Sequence, residues 1–270
     1  MPTTEINGAR LYYEEHGSGS ETVVFAHGLL FDRRIFDDQV AVLRERYRVI
    51  AFDFRGHGGS EATKDGYGMD SLAADAAGLI EALGAAPCHF AGLSMGGFVG
   101  LRLAARRPEL LRSLVLLDSS ADPEPRENLP RYRLLQGVAR LFGLGAVAGW
   151  VMPILLGKTT MEDPARREMR ELWRARVVGQ DRVGVTRAVS GVLERDGVYD
   201  ELPGIRVPVL ILVGEEDTAT VPAKSERMRD AIPGAELAVI PGAGHMSSIE
   251  APEAVTRAME AFLARATDTA

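Results

Sequence analysis

The sequence predicts an α/β fold, a mostly parallel sheet covered by helices on both faces. Three observations carry this. Short apolar runs rich in β-branched residues recur along the chain, each the length of a buried parallel strand. Between them lie segments whose apolar residues repeat at helical spacing. The alternation then stops once, between Asp118 and Val207, where no convincing pair of strand-like runs occurs.

In chain order, residues 5–14 hold Asn7-Gly8 between strand-like residues, a hairpin signal. Residues 22–26, 47–52, 88–91, 114–117, 209–213 and 237–240 read as strands. Leu72, Ala76, Leu79, Ile80 and Leu83 share one helical face. Phe98, Leu101 and Ala105 mark a second helix opening at Ser94. Val255, Met259, Phe262 and Leu263 mark a last one, with Pro252 and Glu253 in its first turn, where both are favoured.

The interruption starts with a Pro-rich, charged turn at residues 122–126 and continues with a stripe of Leu134, Leu135, Val138, Leu141 and Phe142. An insertion between strands emerges at the strand ends where ligands bind. Residues 119–206 are therefore expected to form a helical lid on a body of residues 1–118 and 207–270. Residues 141–157 are uncharged, and seventeen residues sit at the lower limit for a membrane span. Gly143, Gly145, Gly149 and Pro153 weaken a helix there, so a buried or pocket-lining segment is expected.

Composition narrows the classes. Of 270 residues, 46 % are hydrophobic and 26 % charged, which excludes a disordered chain. The single cysteine, Cys88, excludes an intramolecular disulfide and Cys-rich zinc or iron–sulfur sites. A net charge of -7 argues against nucleic acid as a partner. The N-terminal residues show no basic and apolar signal pattern, so a cytoplasmic location with no membrane partner is the expectation. Glycine is in surplus, with 29 residues, and many fall just after the strand-like runs.

Those loops carry the chemistry. Gly92-Leu93-Ser94-Met95-Gly96 is a G-x-S-x-G pattern, weak alone but here set between an apolar strand and a helix. That strand–turn–helix setting exposes a serine hydroxyl above the sheet edge. Serine is a weak nucleophile and needs a base. His245, in the glycine-rich loop after the last strand, is the candidate base. Asp217, in the loop one strand earlier, is the candidate carboxylate to orient it, with Asp118, Glu215 and Glu216 as rivals. The oxyanion of an acyl transfer needs donors, for which the backbone N–H groups of Met95 and Leu29 stand ready.

With His27-Gly28, residues 53–60, Ser94, Asp217 and His245 in this order, the chain resembles the α/β-hydrolase superfamily over essentially its full length. The resemblance implies an eight-stranded, mostly parallel sheet with the lid inserted after the sixth strand. It is similar to the serine esterase, enol-lactonase and cofactor-free haloperoxidase-like branch, with acyl-homoserine lactone hydrolases among such relatives. Ser94 stands where dehalogenases and epoxide hydrolases use aspartate. Met95 replaces a tryptophan typical of proline iminopeptidases, and Leu30 stands where perhydrolase-type relatives tend to carry proline. The implied activity is hydrolysis of esters or lactones with an apolar acyl or aryl group, without metal or cofactor. A C–C bond hydrolase or lyase using the same residues is the alternative, and a non-catalytic ligand receptor a further one. Leu30, Phe142, Leu144, Trp150, Met152 and Ile154 are expected to line the substrate pocket.

Overall fold

Asn7 and Gly8 both take left-handed backbone conformations (φ 48° and 73°), as a two-residue hairpin turn requires. They join β1 (Thr3–Ile6) to β2 (Ala9–His16). The computed structural model describes residues 2–268. The remaining strands are β3 (Thr22–Ala26), β4 (Arg48–Phe52), β5 (Cys88–Leu93), β6 (Leu111–Leu117), β7 (Val209–Gly214) and β8 (Glu236–Ile240). All eight form one sheet in the order β1-β2-β4-β3-β5-β6-β7-β8. The pairs β1–β2 and β2–β4 are antiparallel, and the others are parallel.

The helices, in chain order, are α1 (Asp37–Leu43), α2 (Met69–Ala82), α3 (Met95–Arg106), α4 (Leu129–Phe142), α5 (Ala148–Leu155) and α6 (Lys158–Glu162). Then follow α7 (Arg167–Val178), α8 (Arg182–Leu193), α9 (Pro222–Ala231), α10 (Ser247–Glu250) and α11 (Pro252–Asp268). Strand periodicity sorts the core into two layers. Val24, Ile50, Phe90 and Leu116 meet α2, α3 and α9 on one face. Val23, Phe25, Leu93 and Leu212 meet α1 and α11 on the other. Helices α1 and α9 are missing from the sequence expectation because α1 has seven residues and α9 buries only Ser225 and Met228.

Strand β3 has β4 on one side and β5 on the other, so the chain reverses direction across the sheet at β3–β5. Loops leaving such a switch point diverge and open a crevice at the strand ends. The loops after β3 and β5 are the ones that carry Leu29 and Ser94.

Between β6 and β7 the described residues form helices and turns only. Near the two ends of that segment, Ala121, Val198, Leu202 and Ile205 pack into the core beneath the sheet. Residues 141–157 form the end of α4, a 3-10 turn and α5, and among the described residues no helix is long and apolar enough to cross a membrane. Cys88 is fully buried, and burial pushes its thiol pKa up to about 12.

Arg55 and Asp75 form a bidentate pair, both contacts 2.7 Å, with their side chains 5 % and 1 % exposed. Asp75 also accepts from Asn7, so the pair ties the hairpin, the turn after β4 and α2 together. Asp75→Ala would strand a buried guanidinium, and a stability loss of about 3–5 kcal/mol is expected in urea unfolding. A loss below about 1 kcal/mol would show that the pair is not what holds these elements.

Candidate active site

The turn from β5 into α3 brings backbones closer than any side chain permits. A Cβ on Gly92 would collide with the Gly96 backbone, and one on Gly96 with the carbonyl of Ala26 at the end of β3. Ser94 sits at the apex with φ 50° and ψ -108°, a conformation that costs a non-glycine residue about 1–3 kcal/mol. Its N–H donates to Leu117 O (2.8 Å), and Ser119 Oγ donates to its carbonyl (3.0 Å).

Across the crevice, His245 Nε2 lies 2.9 Å from Ser94 Oγ, and His245 Nδ1 lies 2.8 Å from Asp217 Oδ2. With Nδ1–H donated to the carboxylate, Nε2 is left to accept the serine proton. Asp217 is held in turn by the N–H groups of Ala219 (2.8 Å) and Thr220 (2.9 Å) and by the Thr220 hydroxyl (2.7 Å). All three side chains are buried. Burial raises the Asp217 pKa, but the charge of His245 and its hydrogen bond outweigh this and hold it below the usual value. Burial likewise lowers the His245 pKa, yet Asp217, with Asp118 and Glu250, keeps it above its ordinary value. A hydroxyl, an imidazole and a carboxylate so linked can activate the hydroxyl for nucleophilic attack.

The rival carboxylates are committed elsewhere. Asp118 accepts from Gly214 N (2.8 Å) and from the Ser247 N–H and hydroxyl (3.1 and 2.6 Å), fastening the end of β7 to the segment after His245. Burial, then the charge of Asp217, pushes its pKa up to about 7. Glu215 accepts from Gly242 N (3.0 Å), and Glu216 from the Thr159 N–H and hydroxyl (2.7 and 2.6 Å). Sequence reasoning missed Glu250, whose buried carboxylate accepts from Gly157 N (2.8 Å), Gly244 N (3.0 Å) and Met246 N (3.2 Å) around His245. No periodic pattern announces it, because its partners are backbone groups, one of them 93 residues away.

The loop after β3 lies directly on the turn. A Cβ on Gly28 would meet the Leu93 side chain at 2.7 Å and Ser94 Cβ at 3.4 Å. His27 fixes this loop, since its Nε2 accepts from Phe54 N (3.0 Å) and its Nδ1–H donates to Gly28 O (2.7 Å). Leu30 follows with φ 73°, a conformation closed to proline. Met95 is the first residue of α3, so its N–H has no helical acceptor and sits at the positive end of the helix dipole.

A cavity of about 170 Å³ opens onto Ser94 and His245. Leu30, Leu144 and Ile154 line it, together with Leu29. Phe142 and Trp150 do not line it and are 75 % and 61 % exposed, while Met152 is buried in the core on the α1 side. Helical phase explains these three departures. On α5 and the residue before it, Val147, Val151, Ile154 and Leu155 share the inner face, which leaves positions 150 and 152 to either side. On α4 the inner face is Tyr132, Leu135, Gln136 and Ala139, not the more apolar stripe through Leu134, Leu141 and Phe142. Glu124 and Arg195 complete a polar end that hydrophobic patterning alone does not reveal.

The comparisons with known proteins agree with this architecture. A family described as the alpha/beta hydrolase fold matches residues 21–252. The structure of a thermophilic esterase from Thermogutta terrifontis is similar at a TM-score of 0.91 and 32 % identity, covering 98 % of this chain and 99 % of its own. The enol-lactonase from Burkholderia xenovorans LB400 is similar at a TM-score of 0.91 and 32 % identity, with 97 % and 100 % covered. A curated relative, 3-oxoadipate enol-lactonase 2 of Acinetobacter baylyi, is 28 % identical over 97 % of this chain and 96 % of its own. On the extent of the family match and the sheet order, this chain belongs to the α/β hydrolase fold family.

Proposed function

We propose that the chain is a serine hydrolase that cleaves carboxylic esters and lactones through an acyl-enzyme on Ser94. The supporting observation is the unbroken relay Asp217–His245–Ser94 at the mouth of a largely apolar cavity. Neutral His245 takes the Ser94 proton as Oγ attacks the substrate carbonyl carbon. The resulting oxyanion accepts hydrogen bonds from the N–H groups of Leu29 and Met95, each contributing about 3 kcal/mol in comparable sites. The imidazolium, stabilised by Asp217, then protonates the departing alkoxide. Water enters, gives its proton to His245, and releases the acid by the same steps reversed. In a lactone the leaving hydroxyl stays tethered to the acyl group. The roof from α4, α5 and α8 acts as a lid, and its apolar lining suits an acyl chain or aryl group.

A fluorophosphonate is expected to label Ser94, and Ser94→Ala to lose both labelling and turnover. Turnover surviving in that variant would sink the mechanism. A panel of nitrophenyl esters, lactones and diketones compared by kcat/KM should favour the first two, and preferential cleavage of diketones would point to C–C hydrolysis.

The direction of the His245 shift sets the pH profile. Only the neutral imidazole accepts a proton, so kcat/KM should rise with pH, with its midpoint above 6.5. Asp217→Asn removes the charge that raises this pKa, so the midpoint should move down while kcat falls by about 10⁴-fold. A profile that is flat between about pH 5 and 9 would remove His245 from the role of base.

A further inference from the structure

The polar end of the cavity contains a charge pair that the relay does not use. Arg195 and Glu124 both line the cavity. Their side chains are 2 % and 13 % exposed and meet at 3.1 Å, Arg195 Nη1 to Glu124 Oε2. Arg195 also donates to Asp122 O (3.1 Å) and Val192 O (2.7 Å), and its guanidinium lies 4.3 Å from the centre of the Phe98 ring. Glu124 accepts a second bond from Asn128 Nδ2 (3.0 Å). Phe98 is one helical turn beyond Ser94, so the pair sits along the cavity from the reacting serine. Among the described cavity residues, Glu124 and Arg195 are the only formally charged side chains when His245 is neutral.

A lone buried arginine facing the cavity would recruit a carboxylate from the substrate. Here its charge is already matched. A carboxylate-ended chain would meet Glu124, an ammonium-ended one would meet Arg195, and either would lose its hydration without a free counter-charge. We propose that the Glu124–Arg195 pair selects acyl chains with uncharged distal ends, Glu124 masking the charge of Arg195. This rests on the ester-hydrolase reading above and names the substrate class for it.

The test uses methyl esters, whose leaving group is too small to fill the cavity. Acyl chains of graded length end in carboxamide, hydroxyl, carboxylate or ammonium. With the wild-type enzyme, kcat/KM for uncharged ends should exceed that for both charged ends by about tenfold or more at the length that reaches the pair. Glu124→Gln keeps the shape and unmasks Arg195, so the carboxylate-to-carboxamide ratio should rise by about tenfold and the ammonium-to-carboxamide ratio should not. An unchanged carboxylate ratio in a variant that still labels with fluorophosphonate overturns the proposal. So does a wild-type preference for carboxylate ends, which decides the matter even if the variant fails to fold. A wild-type enzyme that cleaves none of these esters overturns the ester-hydrolase reading as well, whereas cleavage without discrimination overturns the charge mask alone.

Discussion

The close approach of three backbone segments at Ser94 governs the rest of the site. The end of β3, the last residues of β5 and the first turn of α3 meet at Gly92 and Gly96 without room for a side chain. That contact forces Ser94 into its left-handed conformation and lifts its hydroxyl off the sheet. It also sets the loop carrying Leu29 against the N-terminus of α3, so Ser94 and the N–H groups proposed to face its substrate come from one packing event. The strain is local, and the two hydrophobic layers on either side of the sheet hold it in place.

The second organising device is a set of carboxylates outside the proposed chemistry, Asp118 and Glu250 buried, Glu216 half-buried and Glu215 exposed. Asp118, Glu215 and Glu250 accept backbone N–H groups from segments that flank Asp217 or His245, and Glu216 accepts one from Thr159 in α6. Loops have few packing contacts of their own, so such bonds supply the rigidity that a strand or helix would otherwise give. The arrangement also separates the roles of neighbouring acids. Asp217 faces the imidazole, whereas Asp118 faces Gly214 and Ser247. Burial and then the charge of Asp217 raise the Asp118 pKa, whereas the charge of His245 holds that of Asp217 down.

Much of the fold was legible because parallel strands buried on both faces leave continuous apolar runs, as at residues 22–26 and 209–213. Helices with a wide apolar stripe, such as α2 and α11, were legible for the same reason. The positions of Ser94, Asp217 and His245 could be read because each falls in a loop directly after a strand. The cavity wall was harder to read. A helix that lines a binding space need not turn its most apolar face inward, and α4 directs Tyr132 and Gln136 to the cavity while Leu141 and Phe142 face solvent. Long-range polar partners, including Glu250 with Gly157, leave no periodic trace at all.

The ties of the roof are unequal. Around α6, Gly157 and Thr159 are bound to Glu250 and Glu216, beside the two loops that hold the relay. Next to α8, Gln180 joins Asp32 and Gly58 of the body. Among the described residues, hydrogen bonds from α4 to other elements reach only α8, through Gln136 and through the carbonyl of Leu141. The α6 side of the roof is thus fastened to the loops around the relay, whereas α4, among the described residues, is joined by hydrogen bonds only to its neighbour α8.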